Sequence, residues 1–135
     1  MTTFFSIQTQ DHLCTIEMHR PADTQSDVDA LLCEMDKVLV MPSLRKIQWL
    51  IDMSKMKIYF FNVQWNLVYY TQHAISARMV HIRKKVERIA IHRQPDLISM
   101  IIVGCINSVL SNRKEDATLV QMFKTRKECA LFLNT

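Results

Sequence analysis

Hydrophobic and polar positions alternate at the start of the chain. Phe5, Ile7 and Thr9 interleave with Ser6, Gln8 and Gln10, and Cys14, Ile16 and Met18 interleave with Thr15, Glu17 and His19. A period of two sends one set to a buried face and the other to water, which predicts two half-buried strands. Asp11-His12 supplies a turn, so the pair reads as a hairpin, broken afterwards by Arg20-Pro21. The period then changes. Val28, Leu31, Leu32, Met35, Val38 and Leu39 recur at helical spacing, behind Thr24 or Ser26 as cap, with Asp27 and Asp29 at the positive end of the helix. Pro42 ends that helix. Ile47-Gln48-Trp49-Leu50-Ile51-Asp52 is nearly continuous in apolar character, which suits a central strand covered on both faces.

From Phe61 the apolar positions step by four and three: Phe61, Trp65, Val68, Gln72, Ile75, Met79, Ile82, Val86. That stripe predicts one helix over 60–85, about 38 Å long at 1.5 Å per residue. A domain of this length has a radius of gyration of about 14 Å, so the helix must span it or project from it. Gln72 sits on the seam and needs a hydrogen-bond partner there. Residues 87–92, "ERIAIH", read as a strand. Gln94-Pro95-Asp96 opens a further helix, with Pro95 in the first turn where its missing N–H does no harm. Positions 97–110 are apolar almost all round, more than one sheet face can hide. "NRKEDAT" reads as a loop, "LVQMF" as a strand and "RKECALFL" as a closing helix. The order β-β-α-β-α-β-α-β-α predicts an α/β fold: a single mixed sheet with helices packed mainly on one face, in one domain over 1–135.

Composition adds a few constraints. A chain of 135 residues with 49% hydrophobic residues can build a core without a disulfide or metal. Cys14, Cys33, Cys105 and Cys129 are far apart with no C-x-x-C pair, and read as reduced thiols, Cys14 and Cys105 interior. The start has no basic segment followed by a long apolar one, and the most apolar run, 97–106, is half a membrane span. A soluble cytoplasmic protein without a transmembrane segment is expected. Charge is uneven: residues 1–52 hold eight acids and four bases, residues 53–135 five acids and thirteen bases. Gly104 is the only glycine. Phosphate-cradling loops need several, so P-loop and dinucleotide-binding readings are excluded.

Candidate chemistry is sparse. Ser54 follows a strand, but one glycine cannot build a G-x-S-x-G elbow. Asp52 reads as a strand-end residue orienting the next loop. The five histidines form no H-E-x-x-H and no zinc spacing with cysteine. No catalytic residue, metal ligand or cofactor is therefore named. Arg78, Arg83, Lys84, Lys85, Arg88 and Arg93 fall within sixteen residues, with Glu87 the only acid among them. The first five could contact an anion such as phosphate or anionic lipid. The alternative is the solvated, cation-favouring end of a long helix. No aromatic interleaves the run, so base stacking is not indicated and nucleic acid is disfavoured.

Taken together, Asp52 and Ser54, the strand Arg88-Ile89-Ala90, and Phe123, Glu128, Ala130, Phe132 and Leu133 at the close give the chain a layout that resembles STAS-like domains, in particular the SpoIIAA-like branch. The resemblance spans about residues 4–134. It implies a four- or five-stranded sheet with helices mainly on one side, and protein interaction or ligand binding without catalysis. Anti-sigma-factor antagonists of this fold carry a phosphorylatable serine in a D-S-S-G motif after that strand. Here Lys57-Ile58-Tyr59-Phe60 stands in that region, and the phospho-switch is not carried over to Ser54.

The expectation is thus a non-enzymatic interaction module that binds a protein partner or itself as a homodimer. Its contact surfaces would be the 97–110 helix, through Ile98, Ile102 and Val109, and the turn carrying Ser54, Lys55, Tyr59 and Trp65. The alternatives are a lipid-like ligand held between the long helix and the sheet, and weak binding of nucleic acid or anionic membrane through 78–93.

Overall fold

The computed structural model describes residues 4–42, 45–110 and 119–134. Strands β1 (Phe5–Gln10) and β2 (Leu13–Met18) form the expected antiparallel hairpin, with Asp11 at φ 55° in its turn. Aspartate tolerates that left-handed conformation better than most side chains, so the turn is set locally. Helix α1 (Gln25–Leu39) starts at Thr24, whose hydroxyl accepts the Asp27 N–H at 3.2 Å. Strand β3 (Ile47–Asp52), helix α2 (Trp65–Lys85), strand β4 (Val86–His92), helix α3 (Leu97–Leu110), strand β5 (Leu119–Phe123) and helix α4 (Arg126–Leu133) complete the chain. The "NRKEDAT" segment lies outside the described residues.

Spatial order follows sequence order, β1-β2-β3-β4-β5, and every pair after the hairpin is parallel. Crossovers of one hand that always step the same way lay their helices on the same sheet face. Accordingly Val28 and Leu32 of α1, Ile75 and Ile82 of α2, and Val103 and Ile106 of α3 share one core with Cys14, Trp49 and Ile89 of the sheet. Helix α4 follows the last strand and covers the other face, where Cys129 and Leu133 pack on Leu50 and Ala90. The continuous apolar run in β3 is explained by this two-sided burial. Burial raises the Cys14 thiol to about 11, and all four cysteines are free.

The long helix begins later than its stripe suggests. A short 3₁₀ turn occupies Phe60–Asn62, and Phe61 is 85% exposed. The Asn62 side chain accepts the Tyr59 N–H at 2.8 Å and donates to the Lys57 carbonyl at 2.8 Å. Those local bonds compete with the helix and hold the chain in a turn for four more residues. Helix α2 is therefore 21 residues, about 31 Å, and runs directly into β4. Gln72 finds the partner it needs, donating to the Cys105 carbonyl of α3 at 3.0 Å. Across α1 and α2, Arg78 grips Asp36 with two bonds of 2.7 and 3.0 Å, and the Tyr70 hydroxyl donates to Asp29.

Candidate functional site

Between the helical layer and the C-terminal half of the sheet lies a cavity of about 220 Å3. Ile16, Met18, Ile51 and Ile91 of the strands form its floor. Helices α1, α2 and α3 line it from above, with Ile102, Val103 and Ile106 contributed by α3. The loop from Met53 to Gln64 seals one end through Met56, Ile58 and Val63. Among the described residues no charged side chain lines the cavity, and the polar ones are Gln64 and Thr71. Both have partners in the chain: Gln64 Nε2 donates to the Asp23 carbonyl at 3.0 Å, and Thr71 Oγ1 to the Leu67 carbonyl at 2.8 Å. The lining thus offers dispersion and hydrophobic contact, not charge recognition. Met18, Met35, Met53 and Met56 give it adaptable walls.

The sealing loop is held by Arg93, which is 8% exposed. Its Nη1 donates to the carbonyls of Met53 and Met56, each at 2.7 Å. Its Nε donates to Ser99 Oγ at 2.6 Å, and Nη2 stands 3.4 Å from Asp96. Asp96 in turn accepts the Ser99 N–H at 2.8 Å, capping the start of α3. One guanidinium therefore joins the end of β4, the loop after β3 and the first turn of α3.

On the opposite face, at the same edge, Asp52 is 5% exposed. Its Oδ1 accepts the Ser54 N–H at 3.0 Å and the Ser54 hydroxyl at 2.6 Å, and its Oδ2 accepts Arg126 Nη1 at 2.8 Å. His92 Nδ1 lies 3.3 Å from Oδ1, makes no hydrogen bond with it, and has no other partner among the described residues. The serine hydroxyl thus donates to a carboxylate and not to an imidazole. Burial raises the Asp52 carboxyl, but the Ser54 hydroxyl and N–H, with His92 and Arg126, outweigh it and hold the group below its ordinary value.

A folded-state pKa below the unfolded one stabilises fully above the unfolded value, about 3.9, and the contribution fades as pH falls through the folded value. Asp52→Asn should therefore be less stable than wild type at pH 7 by about 2 kcal/mol, with the gap closing below about pH 4. Urea melts at pH 7, 4 and 3 check this. A gap that does not change over that range refutes it.

The expected contact residues separate in space. Ile98 and Ile102 of α3 are half-buried, and Ile102 turns into the cavity. The Val109 side chain lies outside the described residues. Among the described residues the large apolar side chains that α3 leaves exposed are Leu97, Met100 and Ile101, which the all-round apolar sequence did not single out. Ser54 and Lys55 are exposed, Lys55 paired with Glu17 at 2.8 Å. Tyr59 stacks on Phe61 with ring centres 5.3 Å apart, and Trp65 is half-buried at the start of α2.

The cationic run is dispersed. Arg78 pairs with Asp36 on α1, and Lys85 donates to the Met41 carbonyl at 3.1 Å. Arg88 lies on the other side of the sheet, bonded to the Phe132 carbonyl at 2.8 Å. Lys84 is exposed, and Arg83 is half-buried with its own interaction. Arg78 and Arg88 thus face opposite sides of the sheet, and the five do not form one surface. Among the described residues no helix is long and apolar enough to cross a membrane, and no cluster of histidine, cysteine or acid could hold a metal ion.

No family model matches the chain, and no curated protein does. Among solved structures it is similar to an uncharacterized protein of the DUF3478 family with a SpoIIAA-like fold from Shewanella loihica PV-4. The TM-score is 0.59 at 12% identity, over 96% of this chain and 91% of that one. The fold is therefore SpoIIAA-like, as the layout of the sequence implied.

Proposed function

We propose that this SpoIIAA-like domain is a non-enzymatic binding module whose helix–sheet cavity takes a small apolar molecule. The observation that carries the reading is a space of about 220 Å3 whose lining, among the described residues, holds no charge and whose two polar side chains each donate a hydrogen bond to the backbone. An engineered apolar cavity of about 150 Å3 stays dry and holds benzene, so this one suits a ligand on the order of ten non-hydrogen atoms. The pairing of Ser54 with Asp52 favours binding over catalysis.

Naphthalene is a suitable probe. The wild-type chain should bind it saturably, with a Kd on the order of 10 μM and a negative heat-capacity change. Val103→Phe should fill the space from α3, weaken that binding at least about tenfold, and leave the melting temperature no lower. Calorimetric titration of both proteins decides. An absence of saturable binding by the wild type, or unchanged binding by Val103→Phe, removes the reading.

A protein partner is the second reading, and the exposed side of α3 favours it.

A further inference from the structure

Helix α2 meets the cavity along one stripe. Gln64, Leu67, Val68, Thr71 and Ile75 line the space, and at 3.6 residues per turn they fall in an arc of about 100°. Thr71 stands near the centre of that arc, half-buried, with Val68 before it and Ile75 after it.

Nothing among the described residues calls for a hydroxyl at this position. Thr71 Oγ1 donates to the Leu67 carbonyl, one turn back on the same helix, and joins no second element. Valine has the same shape and a similar helix propensity. The bond to Leu67 gives the hydroxyl proton a partner, and the oxygen keeps lone pairs that have none. Gln64 is different. It is exposed at the start of α2, its amide donates to the Asp23 carbonyl, and water serves the rest of an exposed amide.

Among the described side chains, the inner wall therefore offers a ligand one polar function, an acceptor. An acceptor in an apolar space is matched by a single N–H or O–H. A carboxylate would bring charge and further acceptors, and an ammonium would bring charge, with nothing opposite either of them. We propose that the ligand of this cavity is a neutral apolar molecule of about ten non-hydrogen atoms carrying one N–H or O–H donor, and that Thr71 Oγ1 accepts from it. This rests on the apolar-ligand reading above and adds the ligand's polar group and the residue that selects it.

Indole and benzofuran test it, because they share one shape and differ by an N–H against a ring oxygen. Burying an N–H without a partner weakens binding, so a wall with no acceptor would hold benzofuran more tightly. With Thr71 as acceptor, the wild-type chain should bind indole about fivefold more tightly than benzofuran, roughly 1 kcal/mol, the net worth of one hydrogen bond. Thr71→Val should abolish the preference, and Thr71→Ser, which keeps the hydroxyl, should retain it. Calorimetric titration of the three proteins reads the ratio within each, with naphthalene titrated alongside. Benzofuran binding the wild type as tightly as indole overturns the inference, as does an indole preference that survives Thr71→Val. In either case saturable naphthalene binding leaves the apolar-ligand reading standing. A wild type that binds none of the three compounds overturns both.

Discussion

Arg93→Met will destabilise the fold by about 2 to 4 kcal/mol and loosen the loop beside the cavity. The side chain is 8% exposed and bonds the carbonyls of Met53 and Met56 and the hydroxyl of Ser99. Removing it leaves the buried Met56 carbonyl without a donor among the described residues, takes one of two donors from the Met53 carbonyl, which keeps the Met56 N–H, and leaves the 42% exposed Asp96 without its nearby cation. A stranded buried acceptor loses about 1–3 kcal/mol, and a lost hydrogen bond to a charged donor about 1.5–3. Domains of this size are stable by only about 5–15 kcal/mol, so the loss is a large share. Because Met53 and Met56 line the cavity, naphthalene binding should weaken in the fraction that remains folded. Arg93→Lys keeps the charge but loses the planar fork that serves several acceptors at once, and should recover less than half of the stability. Denaturant melts of the three proteins measure this. A loss under about 1 kcal/mol for Arg93→Met would show that the loop is held by other contacts.

The other large effect is expected at Trp49. It is 1% exposed in the middle of β3, between the helical layer and the sheet, and is the largest fully buried side chain. Trp49→Ala should lower stability by about 3–5 kcal/mol through lost burial and the cavity left behind. Trp49→Phe separates the apolar body from the polar atom. Nε1 is buried without a hydrogen-bond partner among the described residues, so phenylalanine removes a donor that gains nothing from the fold. Its loss should be well under half that of alanine, about 1 kcal/mol, arising from volume alone. Equal losses for the two variants would mean that the indole nitrogen does have a partner.

How much of this was legible in advance varies by residue. The alternation of Phe5 to Met18 located the hairpin, and the run from Ile47 to Asp52 located a strand covered on two sides. Gln72 on an apolar seam announced a hydrogen bond across helices, and the Cys105 carbonyl accepts it. The stripe misled at one end. Phe61 kept the four-three spacing, but Asn62 had a better local use for the backbone, and the helix starts at Trp65. Arg93 was visible only as one cation in a basic run, since its acceptors at Met53 and Met56 lie 40 and 37 residues away.

The sequence alone determined the order and type of the elements, the single mixed sheet and the surplus of apolar surface on α3. These rest on periodicity, which is written within ten or so neighbouring residues. Tertiary structure decided which way that surplus is divided. Ile102, Val103 and Ile106 turn to the cavity, while Leu97, Met100 and Ile101 are left outside. A helix that is apolar all round carries no rotational mark of its own. Its inward face is fixed only when α2 and the sheet pack against it, and no local pattern encodes that contact.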